Sequence, residues 1–407
     1  MRAVLLGMGA VGLRAARQLA ATEGLDRLAL VHHDPIKLAE VAGALDSPSR
    51  VETITVARGA VPPPDMLADA DVVVLTMPAG HRATAEVALE RGVHVVSVSD
   101  DIDEVRGLLA LDAEARERAV SIVIGAAFAP GLSCVLARHA ARAFDTVLEI
   151  HVASVGTGGP QCARRHHAAL SETAVDWRDG AWRRRPGGSG RELCWFPDPV
   201  GGADCYRAAR PDALLLVPAF PGVKRVTARM AATRRDRLTA WLPMLRPPHP
   251  EGMLGAVRVE VRGLRGLGHD AEVYGVLDRP AVATGTVAAV AATWTADGRL
   301  SRPGAGGLAE LVDEPVPFLQ ELARRGVRAA VFEGSDFKAD PIDRPRSPSG
   351  RGPAGPGSGG SERRRDGVAR GDPAHPRPAP APATATAPAT WSYPGSKPAG
   401  AKPAGPG

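Results

Sequence analysis

The sequence contains few of the features that form metal clusters, disulfide frameworks and membrane spans. Among its 407 residues there are four cysteines, and no two of them form a Cys-x-x-Cys pair. We therefore expect no metal site and no disulfide framework. No apolar run approaches the roughly 18 residues that a membrane-spanning helix requires, so no membrane insertion is expected. An apolar strand begins at residue 2, which leaves no room for a signal peptide, and the expected location is the cytoplasm.

Outside the C-terminal segment, residues 341–407, the chain also has little excess of positive or negative charge. The formal net charge is +5, but residues 341–407 carry ten Lys and Arg against four Asp and Glu. Subtracting that +6 leaves −1 for residues 1–340. A nearly neutral body lacks the basic face that duplex binding needs, so we expect no nucleic-acid partner.

What the chain does have is a glycine motif near its N-terminus. The apolar run Arg2–Leu6 predicts a buried parallel strand, and helical spacing begins at Ala10. Between them lies Gly-x-Gly-x-x-Gly, at Gly7, Gly9 and Gly12. In the order strand, turn, helix this motif indicates a dinucleotide-binding site. An ordinary glycine turn is the alternative.

Each glycine of the motif has a physical reason. Gly7 would permit the tight turn, Gly9 would let the main chain approach a diphosphate, and Gly12 would let the helix lie close to the strand. The first N–H groups of the helix, near Ala10 and Val11, would face the phosphates. We predict that these five residues bind the cofactor.

The residues after the second predicted strand bear on the choice of dinucleotide. That strand, 27–31, ends in His32, His33 and Asp34, about 20 residues past the last glycine, where the ribose-binding group normally lies. A histidine pair does not repel a 2′-phosphate, so NADP is weakly favoured over NAD, with all three residues in the cofactor site. Asp34 has the alternative of capping the helix that begins at Pro35, and both roles can hold.

Strands and helices alternate through the first third of the chain. Further apolar strands are expected at 51–56, 71–76, 93–98 and 120–124. This alternation is typical of a doubly wound parallel sheet of the Rossmann type, an α/β fold.

Ligands bind such sheets beyond the carboxyl ends of the strands. The predicted cofactor site therefore includes Thr76, Met77 and Pro78 after the fourth strand and Ser99 after the fifth. For the first three, a plain turn between strand and helix is the alternative.

The pattern changes after residue 125. Runs that alternate apolar and polar residues occur at 147–155, 191–196, 223–231, 257–261 and 272–277. Such runs favour an antiparallel sheet with one solvated face, and Asp179–Gly180 is a hairpin-turn dipeptide. We interpret this part as an α+β second domain with a mostly antiparallel sheet.

Four segments follow from these patterns. Residues 1–130 are interpreted as the dinucleotide-binding domain, 131–278 as a domain for substrate binding and possible homodimerisation, and 279–335 as helices that return to the first domain. Residues 341–407 contain no Leu, Met, Phe or Cys and are rich in Pro, Ala and Gly. That composition predicts a disordered tail.

Four stretches within residues 1–333 occur together: G-M-G-A-V-G, A-L-E-R-G-V-H-V-V-S-V-S-D, G-A-A-F-A-P-G-L-S-C-V-L-A-R-H-A and P-F-L-Q-E-L-A-R-R-G-V. In these the chain resembles the saccharopine dehydrogenase family of two-domain NAD(P)-dependent oxidoreductases. The resemblance implies hydride transfer to or from nicotinamide at the C–N bond of an amino-acid-derived secondary amine or imine.

The chain also departs from that family. His32 and His33 stand where an acid–arginine pair is frequent, Ala127 where glycine is common, and Cys134 where Asn or Asp is common. The second-domain stretch E-L-C-W-F-P-D-P-V-G-G-A-D-C-Y matches no characterised member, so the resemblance leaves the substrate open.

Amine–imine chemistry benefits from a general acid or base with a pKa near neutrality. Asp100 and Asp101 follow the fifth strand, at the predicted cofactor edge, and adjacent carboxylates can raise one another's pKa. We predict Asp100 as a catalytic residue. The alternative is that one of the two aspartates caps the next helix.

The predicted helix at 161–173 holds the densest polar cluster of the second domain. Arg164 and Arg165 are predicted to bind the carboxylate of an amino-acid-like substrate, and His166 to move protons. An exposed charged helix face is the alternative. A second class of function also stays open: a non-catalytic NAD(P)-binding sensor or scaffold would keep the glycine motif and lose the proton shuttle.

Overall fold

The structure, a computed structural model, describes residues 1–45, 48–244, 247–327 and 329–331. Numbered in chain order, the strands of its first sheet are β1 (Arg2–Leu6), β2 (Arg27–His32), β3 (Val51–Thr55), β4 (Val72–Leu75), β5 (His94–Ser97), β6 (Ser121–Ile124) and β15 (Gly304–Gly307). Those of the second sheet are β7 (Thr146–Val155), β8 (Thr173–Arg178), β9 (Ala181–Pro186), β10 (Glu192–Trp195), β11 (Gly202–Arg207), β12 (Arg225–Ala231), β13 (Gly255–Arg265), β14 (Gly268–Asp278) and β16 (Ala329–Val331).

The helices follow the same numbering. They are α1 (Ala10–Ala20), α2 (Pro35–Gly43), α3 (His81–Glu90), α4 (Ile102–Leu109), α5 (Asp112–Glu117), α6 (Leu132–Ala141), α7 (Pro160–Ala169), α8 (Asp212–Leu216), α9 (Arg234–Thr239), α10 (Pro280–Ala296), α11 (Leu308–Leu311) and α12 (Pro315–Arg324). Short 3-10 turns occur at Pro48–Arg50, Pro64–Leu67 and Val217–Ala219.

The first sheet is parallel throughout, with the order β15-β6-β5-β4-β1-β2-β3. The six strands predicted in this region are all present. Strands β4 and β6 are buried at every residue, which fits continuous apolar runs covered on both faces. Strand β3 lies at one edge and is only partly buried. The predicted doubly wound fold is confirmed, and β1 is an interior strand between β4 and β2.

The seventh strand, β15, was not predicted. Its sequence, Gly-Ala-Gly-Gly, has none of the β-branched or aromatic residues that favour strands. It pairs in parallel with β6, and all four of its residues are buried. Pairing with a neighbouring strand thus outweighs low intrinsic strand propensity, and only the tertiary fold reveals that pairing.

The second sheet is mixed, with the order β10-β11-β12-β7-β13-β14-β16, and β8 and β9 branch from β12. Only the β7–β12 pair is parallel among its described pairs, so the predicted mostly antiparallel sheet is confirmed. The β8–β9 hairpin turns at Asp179 and Gly180, whose φ angles of 49° and 76° are left-handed, as its turn dipeptide predicts.

The helices that follow β14 pack against elements of the first part of the chain. Helix α10 packs against α1, β4 and β5 and is buried over most of its length. Helix α12 packs against α10 and α6, whereas β16 pairs with β14 of the second sheet. The division at residues 130 and 278 stays a prediction, and the tail predicted at 341–407 lies outside the described residues. No helix in the described part of the chain is both long enough and apolar enough to span a bilayer.

Candidate active site

The glycine loop follows β1, an interior strand of the parallel sheet. Gly7 has a φ of 97°, and a Cβ atom there would lie 2.7 Å from the Met77 amide nitrogen. A Cβ atom on Gly12 would lie 1.8 Å from the Gly7 carbonyl oxygen. Both positions therefore exclude any side chain, and the loop holds α1 against the end of β1.

Gly9 differs from its two neighbours in the motif. It is exposed, it precedes α1, and no heavy atom lies within 4 Å of the position that its Cβ atom would take. No side chain caps α1, and no acidic residue lies in its first turn. The first N–H groups of α1, which include those at Ala10 and Val11, thus lie beside open space, the arrangement that favours a bound diphosphate.

The end of β4 supports this loop. The Thr76 hydroxyl lies 2.9 Å from the Leu6 carbonyl oxygen and 2.7 Å from that of Gly7. His81 links the Met77 carbonyl, 2.7 Å from its Nε2, to the Ser97 hydroxyl, 2.8 Å from its Nδ1. Thr76 and His81 therefore fix the main chain at this edge.

Other predicted cofactor residues occupy the same edge with different exposures. Pro78 is exposed and Met77 half-buried. Ser99 is buried, and its hydroxyl accepts a hydrogen bond from the Asp101 amide at 3.3 Å. Met77 and Pro78 are thus the more accessible of these residues to a ligand.

The three polar residues after β2 have separate roles in the structure. Asp34 accepts hydrogen bonds from the amides of Ile36 and Lys37 at 3.0 and 3.3 Å and caps α2, as one alternative predicted. The rings of His32 and His33 lie 4.1 Å apart. Burial is the main effect on the pKa of His32 and lowers it, and the neighbouring His33 lowers it further, so His32 is neutral at pH 7.

The two residues predicted to be catalytic come together in the structure. Asp100 follows β5, His166 lies in α7, and His166 Nε2 is 2.9 Å from Asp100 Oδ2. A side chain at Gly159, just before α7, would lie 2.9 Å from the Ala10 Cβ atom, so α7 begins beside the glycine loop. The Asp100–His166 pair therefore lies at the edge of the sheet where the dinucleotide was predicted.

Arg210 is the third member of this cluster, and sequence reasoning did not find it. It is 3% exposed; its Nη1 lies 2.6 Å from His166 Nε2 and 3.3 Å from Asp100 Oδ2, and its Nη2 donates to the Ala129 carbonyl. The available signal was two charged residues, Arg210 and Asp212, inside the otherwise apolar run Ala208–Leu216, since buried charges are nearly always paired.

Charge in this cluster shifts the protonation of its members. Burial has the largest effect on the pKa of His166 and would lower it, as does the charge of Arg210, but Cys162 and Asp100 outweigh both and raise that pKa to about 9. Burial likewise opposes ionisation of Asp100, yet the hydrogen bond from His166 and the charge of Arg210 hold its pKa well below the usual range. At neutral pH the pair is thus an imidazolium and a carboxylate.

One atom of the cluster, His166 Nδ1, has no hydrogen-bond partner among the described residues, and neither has Oδ2 of the neighbouring Asp212. Both atoms are buried. Asp212 lies 3.5 Å from Arg210 Nε, and burial raises the pKa of its carboxyl group. Both atoms are therefore able to form a further hydrogen bond.

The arginines predicted to bind substrate occupy different environments. Arg164 is exposed on α7. Arg165 Nε lies 3.0 Å from Asp101, and its Nη1 lies 2.8 Å from Glu172. Asp101 also caps α4 by accepting from the amides of Asp103 and Glu104, as the capping alternative predicted. Arg165 is thus already paired on both sides.

Two of the cysteines, Cys134 and Cys162, differ in their exposure to solvent. Cys134 is fully buried at the start of α6, and burial raises the pKa of its thiol to about 12, which fits a packed residue. Cys162 is half-buried, and its Sγ lies 3.6 Å from His166 Nε2. Ligand atoms of Asp100, Cys162 and His166 lie within 4.8 Å of one another. The guanidinium of Arg210 contacts two of these three residues, and a fixed positive charge there disfavours a metal cation.

The sequence matches no protein-family model, and no curated protein matches it. Solved structures do resemble its fold. Apo saccharopine dehydrogenase (L-Glu forming) from Saccharomyces cerevisiae has a TM-score of 0.59 at 16% identity, over 82% of this chain and 100% of that chain. This likeness confirms the predicted resemblance at the level of the fold.

Two further structures have lower scores. DAP dehydrogenase from C. glutamicum, in complex with DAP, has a TM-score of 0.44 at 15% identity, over 80% of this chain and 99% of that chain. GenD2 from gentamicin A biosynthesis, in complex with NAD, has a TM-score of 0.41 at 16% identity, over 82% and 97%. At these scores neither carries weight for function.

Proposed function

We propose that the protein is an NAD(P)-dependent oxidoreductase. The observation that carries this proposal is the open, uncapped start of α1 at Gly9, after an interior strand of a parallel sheet. A diphosphate needs close main-chain approach and free N–H groups, and both are present there. The fold shared with saccharopine dehydrogenase supports the same function.

The reaction that we propose is hydride transfer at the C–N bond of an amino-acid-derived secondary amine or imine. When bound, the nicotinamide supplies or accepts the hydride. His166, held as an imidazolium by Asp100, would give a proton to the imine nitrogen when hydride is added to carbon and would take that proton back from the amine when hydride leaves. Arg210 would hold the Asp100 carboxylate, which lies 3.3 Å from its Nη1, while its charge opposes that of the imidazolium.

Substrate binding would use the arginines of α7. Arg164 is exposed and would bind a carboxylate directly. Arg165 would have to exchange Asp101 or Glu172 for the substrate, because both acids already contact it. The substrate class proposed here is therefore a small amino-acid-like molecule.

NADP is the proposed cofactor in preference to NAD. Asp34 uses its carboxylate to cap α2, so His32 and His33, whose rings lie in contact, would contact the ribose.

A homodimer through the second domain is also proposed, since Leu193 and Trp195 are exposed on the edge strand β10. Light scattering at several concentrations tests that state.

A non-catalytic NAD(P)-binding sensor or scaffold is the second candidate. It is favoured by the contacts of α7, which join this helix through two ion pairs to residues after β5 and through His166 to Arg210 just before α8. In that case the Asp100–His166 pair would be a structural contact between α7 and the segment that follows β5.

Cofactor reduction with a panel of N-alkyl amino acids separates the two candidates. We expect turnover that falls at least about 100-fold in His166→Asn, the size expected for loss of a general acid. Turnover should persist in His167→Asn, because His167 contacts the Thr239 carbonyl instead of the cluster. Dinucleotide binding without turnover on any panel member would favour the sensor, and absence of binding would contradict both candidates.

A further inference from the structure

Two cysteines of the second sheet lie side by side on neighbouring strands. Cys194 belongs to β10 and Cys205 to β11, and the register of this antiparallel pair places Cys205 opposite Glu192 and Cys194 opposite Ala203. The two cysteines are therefore diagonal neighbours on one face of the sheet, because residues two apart along a strand share a face. Both are buried in a small apolar cluster that also contains Phe196, and both are free thiols.

The two thiols interact unequally. A hydrogen bond between their side chains has the largest effect on both pKa values, and it lowers the pKa of Cys194 while it raises that of Cys205. Burial and Glu192 raise the pKa of Cys194, whereas Arg258 and Arg229, from β13 and β12, lower it. Cys194 is thus the nucleophile of the pair, and the S–H of Cys205 donates to its sulfur.

Strand β10, which carries the nucleophile, has few contacts that oppose its opening. It is four residues long, lies at one end of the second sheet and pairs with β11 alone among the described residues. Glu192, Leu193 and Trp195 are exposed, so Cys194 is the one buried residue of this strand. Segments with little buried surface open at low free-energy cost, and such local opening gives a small reagent access to Cys194.

We propose that Cys194 and Cys205 form a reversible disulfide with a low-molecular-weight disulfide, such as oxidised glutathione, as the oxidant. The Cys194 thiolate attacks one sulfur of the oxidant, a mixed disulfide forms, and one thiolate leaves. Cys205 then loses its proton and attacks Cys194 Sγ, and the second thiolate leaves. The two cysteine sulfurs together lose two electrons, the oxidant gains them, and the two thiol protons go to the released thiolates.

Closing this bond requires a small movement of β10. Diagonal neighbours have Cα atoms about 7–8 Å apart in a regular ladder, whereas disulfides usually join Cα atoms about 4.4–6.8 Å apart. Strand β10 must therefore shift towards Cys205, which its place at the edge of the sheet permits. A disulfide formed against such a shift is readily reduced, so the pair acts as a switch and not as a permanent link.

The switch would also act on the proposed active site through β11. Cys205 lies five residues before Arg210 in the chain, and between them Arg207 is held 2.8 Å from Asp176 of β8. A shift between β10 and β11 therefore acts on the segment that holds Arg210 against Asp100. This effect on catalysis rests on the proposed function, whereas disulfide formation does not.

Incubation of the full-length protein with glutathione buffers of increasing oxidised fraction tests the disulfide. The reaction is stopped with acid, the protein is denatured, and free thiols are alkylated and located by mass spectrometry. We expect the loss of two of the four alkylation sites, a linked peptide pair that contains Cys194 and Cys205, and full reversal by dithiothreitol. Cys162→Ser is the control and should leave this disulfide unchanged, although it removes a more accessible thiol.

The serine variants test the two roles. Cys205→Ser should trap glutathione on Cys194, because the second step is blocked, whereas Cys194→Ser should leave Cys205 unmodified. Four alkylated thiols at every buffer ratio, a disulfide between other cysteines, or glutathione trapped on Cys205 instead of Cys194 would overturn the proposal. The linked peptides of the unmodified protein decide if a variant does not fold.

Calorimetry with NADP, and turnover of the oxidised and reduced protein, separate this inference from the proposed function. Turnover that changes on oxidation and returns with dithiothreitol, but stays constant in Cys205→Ser, supports both. A reversible Cys194–Cys205 disulfide in a protein that binds no dinucleotide would remove the proposed function and leave the switch in place. Dinucleotide binding and turnover without any disulfide would do the reverse.

Discussion

The glycine loop and the Asp100–His166–Arg210 cluster lie at the same edge of the first sheet but are built in opposite ways. The loop consists almost entirely of main chain, and its two closest approaches exclude even one Cβ atom. The cluster consists of charged side chains from three separate segments, up to 110 residues apart, with Arg210 buried and Asp100 and His166 half-buried. One feature is specified by residues adjacent in the sequence, and the other only by the completed fold.

This difference determines how each region responds to change. The loop should be sensitive to added volume and indifferent to pH. The cluster should be sensitive to charge and protonation. The following predictions test that contrast, from the largest expected effect to the smallest.

Gly12→Ala should produce the largest loss. Its Cβ atom would lie 1.8 Å from the Gly7 carbonyl oxygen, so α1 must move away from β1. We expect the free energy of unfolding to fall by about 4 kcal/mol in urea titration. Gly43→Ala is the control, because Gly43 is also helical and has no atom within 4 Å of its Cβ position. Similar stabilities of the two variants would show that close packing at Gly12 is not needed.

Asp100→Asn should produce the next largest effect. It removes the carboxylate that the half-buried His166 and the buried Arg210 share, although Asp212 remains 3.5 Å from Arg210. The loss of this pairing should lower the free energy of unfolding by about 3 kcal/mol in urea titration. Asp103→Asn should cost less than about 0.5 kcal/mol, because Asp103 is 92% exposed in its pair with Arg106. A small loss for both variants would mean that the cluster is solvated.

Stability should depend on pH through His166. Its folded pKa of about 9 lies above the ordinary value of 6.5, so its contribution is complete below pH 6.5 and is lost as pH rises through 9. Asp100 acts at the other end, since its lowered pKa contributes stability that is lost only as pH falls below about 4.

The measurement is the difference in unfolding free energy between the unmodified protein and His166→Asn, followed from pH 5 to pH 10. We expect this difference to shrink by about 2 kcal/mol between pH 6.5 and pH 9.5. A difference that is constant over that range, or that grows with pH, is incompatible with an imidazolium at this position.

His33→Asp should produce the smallest effect. A carboxylate beside His32 would repel a 2′-phosphate, so NADP affinity should fall about tenfold while NAD affinity stays the same. His33→Asn is the neutral control. Calorimetric titration with both dinucleotides measures the ratio of NADP affinity to NAD affinity. If this ratio is unchanged in His33→Asp, the proposed role of His33 in NADP preference is contradicted.

Local patterns in the sequence predicted the loop and most of the first sheet for a physical reason. A buried parallel strand is a continuous apolar run, and a glycine turn after it has a fixed spacing, so both appear within a few residues. The roles of Gly7 and Gly12 follow from that spacing alone. Strand β15 could not be predicted in this way, because Gly-Ala-Gly-Gly has no strand signal and gains its place from pairing with β6.

The cluster was only partly predictable. Asp100 was suggested by its place after β5 and His166 by the polar density of its helix, but nothing local joined the two. Arg210 lies 110 residues from Asp100 and belongs to no motif. Which charge pairs with which depends on how the second sheet's segments return to the first, and that information is absent from spacing along the chain.

The central claim is that the bare main chain at the end of β1 receives a diphosphate. Calorimetry with NAD, NADH, NADP and NADPH tests it most directly, with Gly9→Val as the matched variant. Gly9 has open space around its Cβ position, so this variant should keep the stability of the unmodified protein. We predict micromolar or tighter binding of at least one form, weakened about 100-fold by a side chain at the position that must approach the diphosphate. Absence of binding by all four forms, or equal binding by Gly9→Val, would contradict the claim.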